Sequence, residues 1–484
     1  MEPPNWTNPL LRIEETHISV LIFLGDRVYK IRKPVHFGFL DFRDRVHRAV
    51  DCHREVELNR RLSPDVYLGV ADVVMDGKPV DHMVVMRALP DDRQLTSLLT
   101  SNGALGTYLD AIAATLSAFH ATAARSHEIS ASASPSALER KWRDNFEEVA
   151  RLTNATLDPS VETEITVLVA RWLSSHRSLL ETRIAEGHIC DGHGDLQASD
   201  IFCLDEGVRI LDCLEFSDIL RWEDVCGDVA FLAMDLERLG RPDAARLFVR
   251  AYERHSGARL PPALLHFHIA LRAYVRVKVA CLRFEQNAVA TDSARDLQVL
   301  ALKHLRSGRS ALVLVGGLPG TGKSTLAAGL SDETGWVLVR SDQVRQQRRL
   351  DPDRYVPEAV AAVYEDLLRT AREHLENGES VILDATWVSA EQRARAARVA
   401  QETGVELLAI RCTCDDAVGA HRIGERLVSG DDASEATVAV RDAMELRMDP
   451  WPSAAVIDTS QVAVSASLES ALRKLSLEQV GPRS

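Results

Sequence analysis

Residues 311–325 read ALVLVGGLPGTGKST, in which an apolar run enters a glycine-rich loop that ends in Lys-Ser-Thr. An Ala- and Leu-rich segment follows, so the pattern predicts a strand, a tight loop and a helix in succession. The spelling fits G-x-x-x-x-G-K-[ST], whose glycines let backbone N–H groups turn toward phosphate oxygens. The first turn of the helix adds its positive dipole end. This stretch therefore predicts a binding site for the phosphates of a nucleotide.

The residues of this loop have distinct expected tasks. Lys323 should reach the β- and γ-phosphates, and the Ser324 hydroxyl can hold Mg²⁺. An ordinary glycine turn has no need of Lys-Ser at this point. We therefore expect ATP and Mg²⁺ as the cofactors of this region. The other residues expected to bind the nucleotide are Gly317, Gly320, Thr321, Gly322 and Thr325.

Downstream of the loop, two predicted strands end in acidic residues. The segment 337–347, VLVRSDQVRQQ, predicts a strand that ends just before Asp342, and 380–387, SVILDATW, predicts a buried strand that ends in Asp384. Together with the loop, these segments resemble the small AAA-type P-loop kinases. Examples are gluconate kinases, polynucleotide 5′-hydroxyl kinases and zeta-toxin-like sugar-nucleotide kinases. The resemblance covers about residues 310–460.

This resemblance implies roles for residues around the loop. Asp342 would accept the proton of the acceptor hydroxyl, Arg345 would orient the acceptor, and Asp384 would lie near Mg²⁺ or its waters. HRIGERL places Arg422 and Arg426 four residues apart on one helix face. That spacing suits a lid whose guanidinium groups cover the transferred phosphate. The alternatives are a helix N-cap for Asp342 and solvated surface positions for the two arginines.

A second stretch, HGDLQASDIF at 193–202, points to phosphate chemistry in the N-terminal half of the chain. Kinase catalysis needs a base for the acceptor hydroxyl, two metal ligands, and a Lys that binds the phosphates and is held by a Glu. The chain offers candidates for all of them in the required order. They are Lys30 at a strand end, Glu55 on the next helix, Asp195 as the base, and Asp200 and Asp212 as metal ligands.

This N-terminal half resembles the aminoglycoside phosphotransferase branch of the protein-kinase-like fold. The motifs that carry the resemblance are HGD at 193–195 and LD at 211–212, and it covers about residues 15–300. It implies transfer of phosphate to a hydroxyl of a small molecule, such as a sugar, an amino sugar or an aminoglycoside-like compound. It also implies that Asp228 braces the catalytic loop.

The motif departs from the family pattern at two positions. Asp200 stands where the family has Asn, and Gln197 stands where it has His. An Asp can still ligate Mg²⁺ through oxygen, but it adds a negative charge beside Asp195 and Asp212. We interpret Asp200 as a metal ligand by substitution. The alternative is a degenerate kinase domain that binds a ligand or regulates the P-loop domain without transferring phosphate.

The sequence thus predicts a mixed fold class. An α+β, bilobal protein-kinase-like domain at 1–305 precedes an α/β P-loop domain with a parallel sheet at 306–484. The small lobe, 1–90, is expected to hold a hairpin at Gly25-Asp26, a helix at 43–62 and strands at 66–74 and 83–89. The large lobe, 91–305, is expected to be mostly helical, with an Ala/Ser-rich loop at 121–137.

Composition limits the partners. The chain has 484 residues, a net charge of −14 and 5% aromatic residues. This acidity argues against extended binding of nucleic acid, which needs a basic groove and stacking side chains. A polynucleotide 5′-hydroxyl kinase stays open as an alternative for the P-loop domain. The N-terminus does not resemble a signal peptide and the chain has no long apolar run, so we expect a cytoplasmic protein without a membrane partner.

Overall fold

The computed structural model describes residues 11–16, 18–37, 40–100, 105–152, 157–287, 291–347, 356–429 and 437–480. Within these ranges, the side chains of 37, 40, 283–287, 291–293, 427–429 and 476–480 are not described. None of the helices in these ranges combines the length and the apolar character that crossing a bilayer requires.

The N-terminal small lobe is built on an antiparallel sheet. Its elements are β1 Leu11–Glu15, β2 Ser19–Leu24, β3 Arg27–Arg32, β4 His36–Phe37, β5 Leu40–Asp41, α1 Arg45–Asn59, β6 Tyr67–Met75 and β7 Lys78–Arg87. The five-stranded sheet has the order β1-β2-β3-β7-β6. The predicted hairpin joins β2 to β3, and its Gly25 has a φ of 62°, which suits a glycine.

Helix α1 packs on one face of this sheet. Asp44 caps the helix by accepting a hydrogen bond from the Val46 N–H at 2.8 Å. Cys52 and Val56 on the buried side of α1 meet Val84 on strand β7. The predicted helix and strands of the small lobe are therefore confirmed, with their ends shifted by a few residues.

The large lobe is mostly helical, as predicted. Its elements are α2 Leu95–Leu98, α3 Leu105–Thr122, α4 His127–Ala131, α5 Pro135–Arg151, α6 Pro159–Ser175, α7 Arg177–Ala185, β8 Ile189–Asp191, β9 Ile201–Leu204, β10 Gly207–Ile210, α8 Asp218–Arg221, β11 Trp222–Asp224, α9 Val225–Arg238, α10 Pro242–Ser256, α11 Pro262–Asn287 and α12 Thr291–Ser307. Its strands form two short antiparallel pairs, β8 with β11 and β9 with β10. Every residue of α9 from 225 to 236 is buried.

The expected loop at 121–137 is wrong. Helix α4 lies inside this segment, and α5 begins at its Pro135. The serines that suggested a loop act as helix caps: the Ser126 hydroxyl accepts from the Ile129 N–H at 3.1 Å, and the Ser134 hydroxyl accepts from the Ala137 N–H at 3.3 Å. Ser favours such N-cap positions, so its enrichment marks helix starts here.

The C-terminal part is an α/β sandwich. Its elements are β12 Ala311–Gly316, α13 Lys323–Thr334, β13 Val337–Arg340, α14 Ser341–Gln347, α15 Pro357–Glu376, β14 Val381–Asp384, α16 Ala390–Glu402, β15 Glu406–Thr413, α17 Asp416–Ser429, α18 Val438–Glu445, β16 Ala455–Asp458 and α19 Val464–Val480. The sheet has five parallel strands in the order β13-β14-β12-β15-β16.

The central strand β12 explains this arrangement. All six of its residues are buried, as expected for a parallel strand covered on both faces. Leu312 and Leu314 point into the core with α15 and α16, whereas Val313 and Val315 point into the core with α13 and α19. The two lobes and the parallel sheet together confirm the predicted fold class.

The described residues group into two compact units. The first takes in the residues up to Thr156, Arg183–Leu260 and His268–Ala301, and the second takes in Leu157–Thr182, Pro261–Phe267 and the chain from Leu302. Within the second unit, the rings of Trp172 and Phe267 stack with their centroids 3.7 Å apart. The division into domains at 1–305 and 306–484 stays a prediction, because compact packing is not the same as independent folding.

Candidate active sites

Lys30 and Glu55 form a buried ion pair in the small lobe. The Lys30 Nζ donates to Glu55 Oε1 at 2.8 Å and to Asp212 Oδ1 at 2.5 Å. Glu55 is fully buried on α1, and Lys30 is 8% exposed on β3. Burial lowers the pKa of Lys30, but the carboxylates of Asp212 and Glu55 more than offset this, so the pKa lies above its usual value. The structure thus brings together three residues that the sequence separates by up to 182 positions.

Arg32 extends this pair into a network that the sequence analysis missed. It follows Lys30 by two residues on β3, so both side chains leave the strand on the same face. The Arg32 guanidinium donates to Glu55 Oε2 at 2.7 Å, to Asp51 Oδ2 at 2.6 Å, and to Glu215. These three carboxylates could converge on one ion, but the Arg32 guanidinium already binds all three. Strand periodicity beside Lys30 was the signal that could have found Arg32.

Asp228 binds the backbone of the loop around Asp195. The two oxygens of the Asp228 carboxylate accept from the N–H groups of His193 at 2.7 Å and Gly194 at 2.8 Å. His120 Nε2 lies 3.1 Å from the same carboxylate. Burial would raise the pKa of Asp228, but His120 and His193 lower it below its usual range. Asp228, which was predicted to brace the loop, therefore binds the loop backbone directly through a carboxylate that stays charged.

Asp195 lies in a partly buried position at the start of the loop. Its Oδ2 accepts from Gln197 Nε2 at 3.1 Å, so the residue that replaces the family's His orients the candidate base. Burial raises the pKa of Asp195 to about 6, partly offset by the charge of Arg276. A carboxylate with such a pKa can accept a proton near neutral pH.

Asp200 and Asp212 lie close enough for their charges to interact. Asp200 ends a short 3₁₀ turn, and its carbonyl accepts from the Leu211 N–H at 2.9 Å, which ties it to the segment that carries Asp212. Asp212 has a φ of 61°, a strained value for a non-glycine residue. Burial and the charges of Asp212 and Asp195 raise the pKa of Asp200 well above its usual value. These oxygens fit the hard-donor set that Mg²⁺ prefers.

The phosphate-binding loop has the predicted strand–loop–helix setting. Gly320 and Gly322 have φ values of 83° and 74°, which favour glycine, and a Cβ on Gly320 would lie 2.5 Å from the Gly419 carbonyl oxygen. The Thr321 hydroxyl donates to the Leu318 carbonyl at 2.8 Å and so stabilises the loop from within. Helix α13 begins at Lys323, and Ser324 and Thr325 follow in its first turn.

Asp384 lies at the end of β14, beside the strand β12 that leads into the loop. It is 3% exposed, and its Oδ2 accepts from Arg340 Nε at 3.2 Å. Among the described residues, its other oxygen has no hydrogen-bond donor. A buried carboxylate oxygen without a donor is costly, so this atom fits a magnesium ion or a water bound to it.

The remaining predicted residues of the P-loop domain make contacts with protein. Arg345 donates to Asp342 Oδ1 at 2.7 Å, so the expected base and the expected orienting residue pair with each other on α14. Arg422 donates to the Thr459 carbonyl at 2.8 Å and lies 3.4 Å from the Gly320 carbonyl. Arg426 lies one turn further along α17. The catalytic roles of these four residues stay predictions.

Comparisons with known proteins agree with this two-part architecture. Residues 312–451 match the model of the AAA domain family. The uncharacterized protein Rv2004c of Mycobacterium tuberculosis and the uncharacterized protein Mb2027c of Mycobacterium bovis are each 40% identical to the chain over 471 residues, with 94% of both chains covered. The chain belongs to the family of these mycobacterial proteins. Because the match spans almost the whole length, the family shares both units.

Solved structures that are similar to the chain include two kinases. A choline/ethanolamine kinase family protein from Mesorhizobium loti is 16% identical, with a TM-score of 0.40, and covers 62% of this chain and 94% of its own. A gluconokinase from Sinorhizobium meliloti is 15% identical, with a TM-score of 0.26, and covers 35% of this chain and 92% of its own. The chain carries a P-loop domain of the AAA type at its C-terminal end.

Proposed function

We propose that this protein is an ATP-dependent phosphotransferase with two nucleotide sites, each of which moves the γ-phosphoryl group of ATP to a hydroxyl of a small molecule. The observation that carries the proposal is the contact of Lys30 with both Glu55 and Asp212, next to a loop that presents Asp195. This is the arrangement that positions phosphates and an acceptor in kinase-like folds.

In the N-terminal site, Asp195 takes the proton of the acceptor hydroxyl as that oxygen bonds to the γ-phosphorus. The bond from this phosphorus to the bridging oxygen breaks, and the electron pair leaves with ADP. Lys30 binds the phosphates, and Glu55 keeps it in place. Asp200 and Asp212 would hold magnesium, which offsets the negative charge of the transferred group.

In the P-loop site, the backbone amides of residues 317–322 and Lys323 bind the phosphates. Asp342 is the proposed base, Arg345 orients the acceptor, and Arg422 and Arg426 stabilise the charge of the transferred group. Ser324 and Asp384 would hold magnesium or its waters. The buried oxygen of Asp384 without a donor supports this assignment.

Two variants of the full chain test the proposal. Asp195→Asn removes the base of one site and Lys323→Ala removes the phosphate-binding cation of the other. ATP consumption is measured for each variant and for the unchanged protein with sugars, sugar acids, sugar phosphates, amino sugars, aminoglycosides, nucleosides and 5′-hydroxyl oligonucleotides. Each variant is expected to lose a separate, acceptor-dependent activity by about 10²–10⁴-fold.

The controls are Asp92→Asn and Lys303→Ala, which remove the same charges at exposed positions elsewhere. If Asp195→Asn matches the unchanged protein with every acceptor, the N-terminal unit does not transfer phosphate, and the alternative of a binding or regulatory unit replaces the proposal. Consumption that depends on 5′-hydroxyl oligonucleotides and is lost in Lys323→Ala would move the P-loop site to polynucleotide substrates.

A further inference from the structure

Helix α11 carries two arginines, Arg272 and Arg276, whose spacing of four residues places them on one helix face. Arg272 is anchored beside the catalytic loop. Its guanidinium pairs with Glu223 and lies over the Phe231 ring, 4.8 Å from the centroid. Phe231 belongs to α9, the same buried helix whose Asp228 holds the catalytic loop. The arginine face of α11 is therefore fixed next to this helix.

Glu223 ties the same arginine to the strand that leads into the loop. Glu223 lies on β11 and pairs with Cys190 of β8. Cys190 precedes His193 of the loop by three residues. Its carboxyl is 5% exposed, and burial raises its pKa to about 7. The Glu223 carboxyl is therefore less acidic than an exposed one, and Arg272 is its ion-pair partner.

Arg276 lies one turn beyond this anchor and has a different environment. In the described part of the chain, neither a carboxylate nor a carbonyl accepts a hydrogen bond from its half-buried guanidinium. Its charge nevertheless reaches Asp195: of the charged groups that act on this carboxyl, Arg276 has the largest effect, ahead of Asp212. Arg276 therefore presents a cation near the candidate base.

Lys141 of α5 adds a third positive charge behind the two arginines. Its Nζ lies 3.5 Å from the Trp222 carbonyl oxygen, next to Glu223. Burial lowers the pKa of Lys141, and Glu223 opposes this effect. Arg272 and Lys141 thus share the Glu223 carboxylate, whose pKa is near neutral, whereas Arg276 has no such partner among the described residues. A half-buried guanidinium without a protein acceptor suits an anionic ligand.

We propose that the N-terminal site takes an acceptor that carries an anionic group, a phosphate or a carboxylate, beside the hydroxyl that is phosphorylated, and that Arg276 binds this group. The proposal rests on the phosphotransfer proposed above and narrows its substrate class. Sugar acids and sugar phosphates fit the cleft, whereas cationic amino sugars and aminoglycosides would meet the positive charges of Arg276, Arg272 and Lys141.

The γ-phosphate of ATP is the other source of negative charge that could meet Arg276, so the test must separate the two. The probe is inorganic phosphate, and the protein is the full chain with Lys323→Ala, which removes the phosphate-binding Lys of the P-loop. Calorimetric titrations compare this protein with two further variants, Arg276→Met and Lys278→Met. Lys278 lies on the same helix, and its replacement by Met changes the net charge equally. Unlike Arg276, it pairs with a carboxylate, that of Glu148, at 2.8 Å.

We expect Arg276→Met to weaken phosphate binding about tenfold or more, and Lys278→Met to leave it within about twofold. Phosphate should still bind when the site is saturated with magnesium and the β,γ-imido analogue of ATP. Equal effects of the two variants would overturn the proposal. Displacement of phosphate by the analogue would also overturn it, because Arg276 would then belong to the nucleotide.

A kinetic comparison keeps this proposal distinct from the proposed function. ATP consumption with a hexose, its 6-phosphate, its aldonic acid and its amino derivative is measured for the unchanged protein, Arg276→Met and Asp195→Asn. The anionic acceptors should be preferred, and Arg276→Met should raise their KM about tenfold while the KM for ATP and kcat change little. A preference for the neutral or amino sugar that depends on Asp195 would overturn the anionic acceptor and leave the phosphotransfer standing. Consumption that is the same in Asp195→Asn would instead count against the phosphotransfer, and phosphate binding would still report on Arg276.

Discussion

The two candidate sites differ in how their charges are satisfied. In the N-terminal site, Lys30 already binds two carboxylates and Arg32 binds three, so the ion pairs of the protein hold the site together. In the P-loop site, none of the described carboxylates pairs with Lys323, and the Oδ1 of Asp384 has no described donor. The first site is therefore preorganised by its own side chains, whereas the proposed function gives the second its counter-charges through the phosphates and the metal.

The sharpest test of this difference is Lys30→Met. Without the ammonium, Asp212 loses its ion-pair partner, Glu55 keeps only Arg32, and no cation is left to bind the phosphates, so Asp195-dependent transfer should fall about 10³-fold. ATP turnover that depends on Lys323 should not change. The control is Lys78→Met, an exposed Lys on β7 of the same sheet. Steady-state rates measure both, and a parallel loss in the two sites would contradict the comparison.

A second test removes Arg32, the buried cation next to Lys30. Arg32→Met leaves the buried carboxylates of Asp51 and Glu215 without their partner and Glu55 with Lys30 alone, which should cost the N-terminal unit about 3–5 kcal/mol of unfolding free energy. The matched control is Arg27→Met on the same strand, because Arg27 pairs with Asp26 at the surface and such pairs contribute about 0–1 kcal/mol. Pulse proteolysis in urea reports the unfolding midpoint. Equal shifts would show that Arg32 is no more important than a surface arginine.

A third test addresses the dependence of the P-loop site on its metal. Asp384→Asn keeps the shape of the side chain and removes its charge, so the Mg²⁺ concentration for half-maximal Lys323-dependent turnover should rise about 10–100-fold. Nucleotide binding in the presence of EDTA should stay the same in the variant and the unchanged protein. An unchanged magnesium requirement would remove Asp384 from the metal site.

The smallest expected effect concerns Asp200, which stands where related kinases have Asn. Asp200→Asn removes one of three neighbouring negative charges, so the magnesium requirement of Asp195-dependent transfer should rise by a few-fold, on the order of 1 kcal/mol. The neighbouring, exposed Ser199→Ala is the control, since its hydroxyl donates to Asp200 at 3.1 Å and carries no charge. If magnesium dependence stays the same in Asp200→Asn, Asp200 is not a ligand.

The same contrast explains what the sequence could predict. The P-loop is contiguous, so its spelling alone specifies the strand, the loop and the helix that begins at Lys323. The N-terminal site is dispersed, and its family pattern still ordered Lys30, Glu55 and Asp212 correctly. The ion pairs of Arg32 in this site were missed, because its partners Asp51 and Glu215 lie 19 and 183 residues away from it in the sequence.

The helical error at 121–137 has a different cause. The Ala and Ser residues there predict a loop, yet Ser126 and Ser134 cap helices. Burial of Ile129 and Leu138 stabilises these two helices. Tertiary packing decided the outcome, and local composition could not report it. For the same reason Arg276 gave no signal in the sequence. Its proposed role depends on α9, α11 and the loop around Asp195, which come together only in the folded protein.

The bond between the catalytic loop and α9 has a consequence for how this protein opens. The amides of His193 and Gly194 donate to Asp228, which is on a helix buried along most of its length. We expect their protons to exchange with solvent only when that helix leaves the core, which would put them in the slowest-exchanging class of the unit. The loop would then open only together with the core, and adaptation to a new acceptor would come from the residues around the loop.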